Sequence, residues 1–562
     1  MNWFSDAVRT FKRIAAGRSV GTPVSLQLTA NLPLPPEELQ RFFKQCCAAA
    51  VGLLGRDDGQ VYAQESPHNT QTVAHIDFGK GRVAMLSVGA AAGSPLFNMT
   101  LIGTQGVAAW EPDPHSDWLS QPLDEVDSDG GEQLLQAVQR SLNAICPVKI
   151  SDSEAAAPAT IIRSVRAPWI TPGPPRVAEG LQPPYGLLLV GGAGTHQEGY
   201  ARSLNDDDRV KLIGVADEEN VSPRRQELNE QLARDLAVPL LPDLAEALAR
   251  DDVHIVSVCV EPERRGPVIV QCANAGKHLY LDKPLCASPR EADAILAATR
   301  QQGVVAQMYS FVHTPWARRI KRIVDSGSLG ELTSIHCNLL FAKGAVNAAR
   351  PDGRKESVEP DNFEAADSKR ELYNIGIYPT TLLFWLLQRP VQRVYATTAN
   401  CFFNQHRDND MEDFAQVMLE FDKGLTATLC VGRTGWSSHP SGGVNQTYLV
   451  GSQGSCCVDA HRPRIEVWSD KTRSSAPDPN PEDPMSFWRS ATRKADKGKT
   501  SWRAPGETAC NDAARFLDCL ESGSITEAPV EIAAAATEVL LAAYRSAKVG
   551  QPISLPLPRP RE

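Results

Sequence analysis

Residues 185–204 read YGLLLVGGAGTHQEGYARSL and residues 276–285 read GKHLYLDKPL; these two stretches decide the fold of the chain. The first opens on an apolar run typical of a buried strand, turns at glycines and enters a helical pattern. A glycine turn between a strand and a helix N-terminus lets backbone N–H groups approach a pyrophosphate. Gln197 stands where this fingerprint usually has Gly or Ala, so the turn alone is not sufficient. We predict a phosphate-binding turn formed by Gly192, Ala193, Gly194, Thr195 and His196.

The next apolar strand, residues 210–216, ends in Asp217. An acidic residue about 20 positions after the glycines is placed to bind a ribose 2′-hydroxyl group. The same carboxylate would repel a 2′-phosphate. The sequence therefore predicts NAD as the cofactor in preference to NADP.

A third apolar strand at residues 253–260 and the sequence Asp282, Lys283, Pro284 after a fourth strand continue the order of motifs. This order resembles that of the Gfo/Idh/MocA oxidoreductases, the group of glucose-fructose oxidoreductase and inositol dehydrogenase, whose signature has Glu where this chain has Asp282. The resemblance continues through residues 307–309 and 323–331 and on to the C-terminus. It implies an NAD(P)-binding Rossmann domain followed by an α/β domain with a large, mainly antiparallel sheet.

Strand and helix patterns alternate between residues 185 and 309, which predicts a parallel, doubly wound sheet with its ligand at the carboxyl ends of the strands. In the family, the loop after the third strand lies by the cofactor ribose, and Arg265 stands where many relatives carry His. Two interpretations of Arg265 stay open: selection of an acidic substrate, or a weaker constraint on this position. Besides the glycine turn, the cofactor residues expected at the strand ends are Asp217, Val260, Glu261, Pro262, Arg265, Asp282 and Lys283.

The rest of the sequence divides around this nucleotide-binding domain. The expected segments are an N-terminal helix (1–20), a degenerate copy of the sheet domain (21–166), a proline-rich linker (167–184), the Rossmann domain (185–309) and the C-terminal α/β domain (310–562) with a mobile insert at 469–503. The fold class is therefore α/β plus α+β, with an additional smaller α+β domain in front of the other two.

Residues 21–166 repeat patterns of the C-terminal domain in the same order. The similar pairs are 23–31 with 390–400, 73–93 with 415–435, 101–112 with 449–460 and 132–167 with 513–548. We infer a duplication, against the alternative of chance similarity among antiparallel hairpins. An open sheet face on this family's second domain commonly makes an oligomer contact, so the chain could form a homo-oligomer there, or the N-terminal domain could imitate that contact internally.

The 562 residues carry a formal net charge of −10. This charge argues against nucleic-acid binding and against a polybasic membrane surface. No apolar run approaches the about 20 residues of a transmembrane helix. The 13 cysteines are scattered without the spacing of a zinc site, so we expect no metal and a reducing, cytoplasmic location.

Lys283 is the first catalytic candidate. In the family this lysine lies beside the nicotinamide and the reacting hydroxyl group, and partial desolvation lowers a lysine pKa enough for proton exchange. Residues 373–379 (YNIGIYP) match a second family motif, whose Asp and His or Tyr lie four positions apart on one helix face. Tyr378 takes the second of these positions, and Asn374 replaces the Asp and cannot take up a proton. We predict Lys283 and Tyr378 as acid and base, with Asn374 beside them.

Four further residues are candidate substrate contacts. Tyr309 and His313 lie at the junction of the two domains, and Arg433 and His439 lie in the loop after a central strand pattern. The leading hypothesis is an NAD-dependent oxidoreductase that transfers hydride between nicotinamide and a sugar, cyclitol or related polyol.

Two alternatives remain at this point. A catalytically impaired, nucleotide-binding scaffold or sensor would explain Asn374, Gln197, Asp282 and the extra domain, although the retained Lys283 argues against it. An NAD-dependent glycosidase, as occurs among relatives, is the second.

Overall fold

The structure, a computed structural model, describes residues 3–55, 58–66, 70–91, 95–112, 118, 130–152, 181–192, 196–342, 370–408, 410–434, 443–459, 465–467, 500–502 and 512–559. Most of the predicted linker and of the predicted insert lies outside these residues, so both stay predictions, as do the domain boundaries. No helix in the described ranges is long and apolar enough to cross a membrane.

The N-terminal domain is a seven-stranded sheet with helices packed on one face, over a core of residues such as Leu28, Phe42 and Leu134. The strands lie in the order β6-β5-β1-β4-β3-β2-β7. Its elements are α1 (Trp3–Ala16), β1 (Pro23–Leu32), α2 (Pro36–Leu54), β2 (Gln60–Glu65), β3 (Gln71–Asp77), β4 (Val83–Ala90), β5 (Leu96–Gly103), β6 (Gly106–Trp110), α3 (Gly131–Ala144) and β7 (Val148–Lys149).

The nucleotide domain is a five-stranded parallel sheet in the order β12-β11-β10-β8-β9, which confirms the doubly wound prediction. Its first and third strands are neighbours, so the chain reverses direction across the sheet between β8 and β10 and leaves a crevice at their carboxyl ends. Its elements are β8 (Tyr185–Val190), α4 (Gln197–Asn205), β9 (Val210–Ala216), α5 (Pro223–Asp235), α6 (Leu244–Leu248), β10 (Ile255–Val258), α7 (Pro262–Asn274), β11 (His278–Leu281), α8 (Pro289–Gln302) and β12 (Ala306–Met308).

The C-terminal domain holds a second seven-stranded sheet, in the order β18-β17-β13-β16-β15-β14-β21, in which only β13 and β16 run parallel. This sheet confirms the predicted fold class. Its elements are α9 (Pro315–Asp325), β13 (Leu332–Ala342), α10 (Glu371–Leu387), β14 (Val391–Ala399), α11 (Asn404–Asp408), β15 (Phe414–Phe421), β16 (Thr426–Thr434), β17 (Gly443–Gly451), β18 (Ser455–Asp459), β19 (Ile465–Val467), β20 (Thr500–Trp502), α12 (Asp512–Ser522), α13 (Val530–Val549) and β21 (Ile553–Ser554).

The two seven-stranded sheets share one topology, strand for strand. Each has its single parallel pair at the same place, β1 with β4 and β13 with β16. The register of the neighbouring antiparallel pair is also shifted at the same point in both sheets. The shift lies between Pro23 and Ser25 where β1 pairs with β5, and between Leu332 and Ser334 where β13 pairs with β17. Lys80 and Lys423, in the equivalent hairpin turns, both have a positive φ, 55° and 56°.

A matched pair of serines fixes the last helix of each sheet domain. The Ser141 hydroxyl in α3 accepts the N–H of Ala63 at 3.0 Å, and the Ser546 hydroxyl in α13 accepts the N–H of Ala396 at 2.9 Å. Each hydroxyl also donates to the carbonyl oxygen five residues further on, at 2.8 Å. A chance hairpin similarity would not reproduce such side-chain contacts, so they support the inferred duplication.

Two of the four pairs of similar segments predicted from the sequence join elements that are not equivalent in the two sheets. Residues 23–31 belong to β1, whose place in the sheet is that of β13, whereas residues 391–399 form β14, the counterpart of β2. Residues 132–167 were matched with 513–548, but α3 takes the place of α13, because each packs on the long helix of its own domain and ends before the short edge strand. The signal that was missed is the sequence VYA at 61–63 and again at 394–396.

Replacing either serine with alanine leaves a buried strand N–H without its acceptor. We expect Ser141→Ala and Ser546→Ala each to lower the free energy of unfolding by about 1–3 kcal/mol. Urea unfolding followed by circular dichroism measures this, with the exposed Ser19→Ala as the control. A change in both variants no larger than that of the control would contradict the matched role.

Candidate active site

The predicted phosphate turn follows β8 at the crevice. A Cβ atom on Gly192 would lie 2.4 Å from the Asn229 side chain and 2.6 Å from its backbone nitrogen, so only glycine fits there. Gly191 has φ +96°, and a Cβ atom on it would meet the Cys259 carbonyl at 2.8 Å. Ala193, Gly194 and Thr195, the rest of the predicted turn, lie outside the described residues.

Asp217 directly follows β9, as predicted, but other side chains already hold its carboxylate. It accepts from Asn229 at 2.9 Å and from the Arg264 guanidinium at 3.1 Å. The same guanidinium binds Glu261 at 2.8 Å and also binds Glu218. Glu261 lies at the N-cap position of α7 and is ion-paired. Burial raises the pKa of its carboxyl group, but Arg225 and Arg264 outweigh this effect and lower the pKa to about 2.

Arg264 was not predicted as a site residue, although it stands next to Arg265 at the start of α7. It lines an open pocket of about 360 Å³ beyond the end of β9, together with Glu218, Asn220, Asp243 and Leu244.

Arg265 does not face a substrate, which corrects the interpretation that it selects an acidic one. It is 2% exposed, and its guanidinium donates to the carbonyl oxygens of Val260 (2.6 Å), Asp282 (3.3 Å) and Pro284. It also donates to the Asp282 carboxylate at 2.9 Å. Arg265 therefore fixes the backbone on both sides of Lys283.

Asp282 is the centre of this anchor. Its carboxylate accepts from the Tyr200 hydroxyl at 2.7 Å and lies 3.0 Å from the His196 ring. Burial opposes its ionisation, but Arg265 and His196 outweigh that effect, and the pKa of Asp282 lies below its ordinary value. The carboxylate holds the loop that presents Lys283, and His196 is the group of this cluster most exposed at the crevice.

Lys283 crosses from the nucleotide domain to the C-terminal domain. It is 7% exposed, and its ammonium group donates to the side-chain oxygen of Asn374 and to the Asn374 carbonyl oxygen at 3.2 Å. Desolvation lowers its pKa to about 8, although the charges of Asp282 and Glu371 act in the opposite direction. A lysine in this state exchanges its proton near neutral pH.

Asn374 joins Lys283 to a buried carboxylate that the sequence reasoning missed. Its amide nitrogen donates to Glu371, one helical turn earlier in α10, at 3.3 Å. Glu371 is 2% exposed and also accepts from Arg433 at 2.6 Å and contacts His406 at 3.2 Å. Burial opposes the ionisation of Glu371, but His406 and Arg433 hold its pKa below the ordinary value. A charged residue three positions before the motif Asn was the available signal.

Tyr378 lies beside Lys283, but not as a hydrogen-bonded partner. The ammonium nitrogen stands over the Tyr378 ring, 5.4 Å from its centroid, and Phe311 stacks on the ring at 4.1 Å. Burial raises the pKa of Tyr378 well above its ordinary value, so the hydroxyl stays protonated. The geometry is thus that of a cation–π contact with a neutral phenol.

Of the four predicted substrate contacts, two lie near the Lys283 cluster. Tyr309 extends the aromatic wall, with its ring 6.3 Å from Tyr378, and Arg433 reaches the site through Glu371. The contact of His313 is with Glu527, 3.1 Å away, rather than with the Lys283 cluster. His439 lies outside the described residues. Among the residues that the structure places, no group of His, Cys, Asp and Glu could hold a metal ion.

Two family models match consecutive parts of the chain. Residues 187–310 match the oxidoreductase family with an NAD-binding Rossmann fold, and residues 317–457 match the GFO/IDH/MocA C-terminal domain. Over these residues the chain belongs to the GFO/IDH/MocA family. The family predicted from the motifs is confirmed, and residues 187–310 form an NAD-binding Rossmann domain.

Individual relatives are more distant. The 4-carboxy-2-hydroxymuconate-6-semialdehyde dehydrogenase of Sphingobium sp. is 30% identical over 121 residues, which are 22% of this chain and 37% of that protein. The scyllo-inositol 2-dehydrogenase (NAD(+)) of Bacillus subtilis is 23% identical over 336 residues, 59% of this chain and 86% of that protein. The chain spans 37%, 51% and 61% of the lengths of three of the curated relatives that it matches.

Among solved structures, GenD2 from gentamicin A biosynthesis, in complex with NAD, matches with a TM-score of 0.49 at 22% identity. The match covers 68% of this chain and 99% of GenD2.

Replacing Asp217 tests the cofactor assignment. Asp217→Ser removes the charge that would repel a 2′-phosphate and removes one of the three carboxylates that bind Arg264, a cation that could then pair with the phosphate. We expect the ratio of the NADPH to the NADH dissociation constant to fall by at least about tenfold, which is about 1.4 kcal/mol. Titration of nicotinamide fluorescence measures it, with the exposed Asp206→Ser as the control. An unchanged ratio would show that Asp217 does not select the cofactor.

Proposed function

We propose that the protein is an NAD-dependent dehydrogenase that oxidises a hydroxyl group of a sugar, cyclitol or related polyol, or reduces the corresponding ketone. The observation that carries this proposal is the buried Lys283, with a pKa near 8, at the crevice where the nucleotide domain meets α10. The dehydrogenases among the relatives support the reaction class, and the hydroxyl-bearing substrates of several of them support the substrate class.

The residues at the strand ends fit the cofactor. Gly191 and Gly192 leave no room for side chains after β8, and a glycine turn at this point suits a pyrophosphate. Asp217 directly follows β9, where an acidic residue suits a ribose hydroxyl group, and Lys283 follows β11. NAD, when bound, supplies the acceptor or donor of hydride. The chain's own residues bind it, orient the substrate and move the hydroxyl proton.

Lys283 is the proton carrier in this proposal. With a pKa of about 8, the neutral amine that accepts a hydroxyl proton forms as the pH rises through 8. The ammonium form, which donates a proton in the reverse direction, prevails below that pH. Oxidation should therefore gain rate, and reduction should lose rate, as the pH rises through 8.

Asn374 and Glu371 hold the lysine in place. The amide accepts from the Lys283 ammonium group and donates to the Glu371 carboxylate, so its orientation is fixed at both ends. Asn374 is thus a positioning residue, and through it Glu371 adds to the negative charge of Asp282 in stabilising the ammonium form. This arrangement restores a carboxylate to a motif that has lost its usual Asp.

In this proposal Tyr378 does not exchange a proton, although the sequence predicted it as acid or base together with Lys283. Its neutral hydroxyl can donate a hydrogen bond to the substrate oxygen, while its ring stabilises the Lys283 ammonium group. Tyr378→Phe keeps the ring and removes only the hydroxyl, so it separates these two contributions.

Lys283 substitutions test the proposal directly. We expect Lys283→Met to lower kcat by about 10²–10⁴, because it removes the group that exchanges the hydroxyl proton. Lys283→Arg keeps the charge but cannot release its proton, and it should be equally inactive in oxidation. Absorbance of reduced nicotinamide during a polyol screen measures turnover, and NADH fluorescence confirms that both variants still bind the cofactor. Turnover that survives in both variants would contradict the proposal.

The pH profile tests Glu371. Glu371→Gln removes a charge that raises the pKa of Lys283, so the midpoint of the oxidation profile should move below 8. Glu412→Gln is the matched control, since Glu412 is equally buried beside α10 but binds the Leu372 N–H and Tyr544 instead of Asn374. A profile that shifts equally in both variants, or in neither, would remove Glu371 from the account.

A further inference from the structure

The N-terminal sheet covers the C-terminal sheet face to face, and equivalent residues meet at its centre. Tyr62 in β2 and Tyr395 in β14 occupy the same position in their sheets, and their rings lie 4.7 Å apart. Equivalent residues contact each other in a two-fold, isologous interface, where both partners use the same surface. Here the two halves belong to one chain.

The surrounding contacts are reciprocal. The Tyr62 hydroxyl donates to Glu420 of the opposite sheet. In the same way, Tyr395 faces Asp77, which is the counterpart of Glu420. Burial raises the pKa of Tyr395, and the charge of Asp77 raises it further. His75 packs against Tyr395 at 5.0 Å, and its counterpart Met418 packs in the same cluster as Tyr62. The interface therefore repeats itself about a pseudo-two-fold axis.

Polar groups of the two sheets also satisfy each other. Gln416 donates to the Ser25 hydroxyl at 2.8 Å, and Thr426 donates to the Gln64 side chain at 3.2 Å. All four residues are buried. Without the N-terminal sheet, these groups and the apolar residues around them would face water, so the contact is a built interface.

One end of this interface reaches the active site. Val24 and Ile102 of the N-terminal sheet pack with Phe402 and Phe403, in the segment between β14 and β15, described at residues 400–408 and 410–413. The Cys401 thiol at its start donates to the Gly81 carbonyl, 3.7 Å away. The same segment carries His406 in α11, which contacts Glu371.

We propose that the N-terminal domain is a second copy of the sheet domain that serves as an internal subunit: it covers the sheet face that a second chain would otherwise cover, and it braces the segment that presents His406 to Glu371. In the described helix α2, the copy lacks the residues of the α10 motif. Counted back from the matching helix ends at Gly55 and Gln388, α2 has Arg41 and Gln45 where α10 has Asn374 and Tyr378. This inference does not depend on the proposed reaction.

Hydrogen exchange with mass spectrometry tests the brace in the full chain. The double variant Val24→Ala, Ile102→Ala shortens two side chains of the apolar cluster that contains Phe402 and Phe403, and it adds no charge. We expect exchange of peptides covering residues 399–413 to accelerate by about tenfold or more, because the segment loses buried contacts. The control is Leu135→Ala, a similar truncation on the far, helical side of the same domain, which should accelerate exchange in α3 and leave 399–413 unchanged. Equal exchange of 399–413 in the wild type and the double variant would overturn the brace.

Oxidative footprinting tests the internal subunit. Met418 and Tyr395 are each 1% exposed, and their cover comes from the same chain. Their protection from hydroxyl radicals should therefore stay constant when the protein is diluted a hundredfold. Protection that falls on dilution would mean that a second chain supplies the cover, and it would overturn the inference. Neither readout uses turnover, so a failure here is distinct from a failure of the proposed dehydrogenase activity.

Discussion

The burial of one ammonium group, that of Lys283, is the constraint on which the active site depends. Moving a charge out of water is costly unless other groups replace its hydration. Here the replacements come from two domains: Asp282 next to it in the nucleotide domain, and Asn374 with Glu371 in the C-terminal domain. The site therefore exists only when the two domains are packed together. The incomplete compensation leaves the lysine with a pKa near 8 instead of the value of a solvated amine, which is what the proposed proton transfer requires.

The neighbouring residues Arg264 and Arg265, at the N-terminus of one helix, have different partners. Arg265 points inward and donates to backbone carbonyl oxygens and to the Asp282 carboxylate, so it fixes the backbone around Lys283. Arg264 points outward and joins Asp217 to Glu261, so it partly neutralises the carboxylate that follows β9. Exposure separates the two roles: the Arg265 side chain is 3% exposed, and the Arg264 side chain is 28% exposed.

The sequence predicted the fold well because its signals are local. Apolar runs, glycine turns and the alternation of strand and helix patterns placed the elements of the nucleotide domain, and the motifs placed Asp217, Lys283 and Asn374 at one crevice. Side-chain direction was not predictable from these signals. Whether Arg265 faces a substrate or a carbonyl depends on the packing of α7 against the loop after β11, and the contact of Glu371 with Asn374 depends on the rotation of α10.

Departures from the family pattern also became interpretable only in three dimensions. Gln197, in place of a small residue, is completely buried and exchanges two hydrogen bonds with Ser257 of β10, so it pins α4 to the sheet by polar contact. Similarly, the repeat in the N-terminal domain was visible in sequence as four pairs, but two were mismatched. Hairpins resemble one another locally, and the strand order in the sheet shows that β2, not β1, is the counterpart of β14.

The central claim, that burial between two domains tunes Lys283 for proton transfer, can be tested without a substrate. Competitive acetylation of the native protein over a range of pH, followed by quantification of the Lys283 peptide, gives the pKa of this one amine. The account predicts a pKa near 8, well below that of exposed lysines in the same sample. A pKa of about 10.4, the value of a solvated lysine, would contradict it.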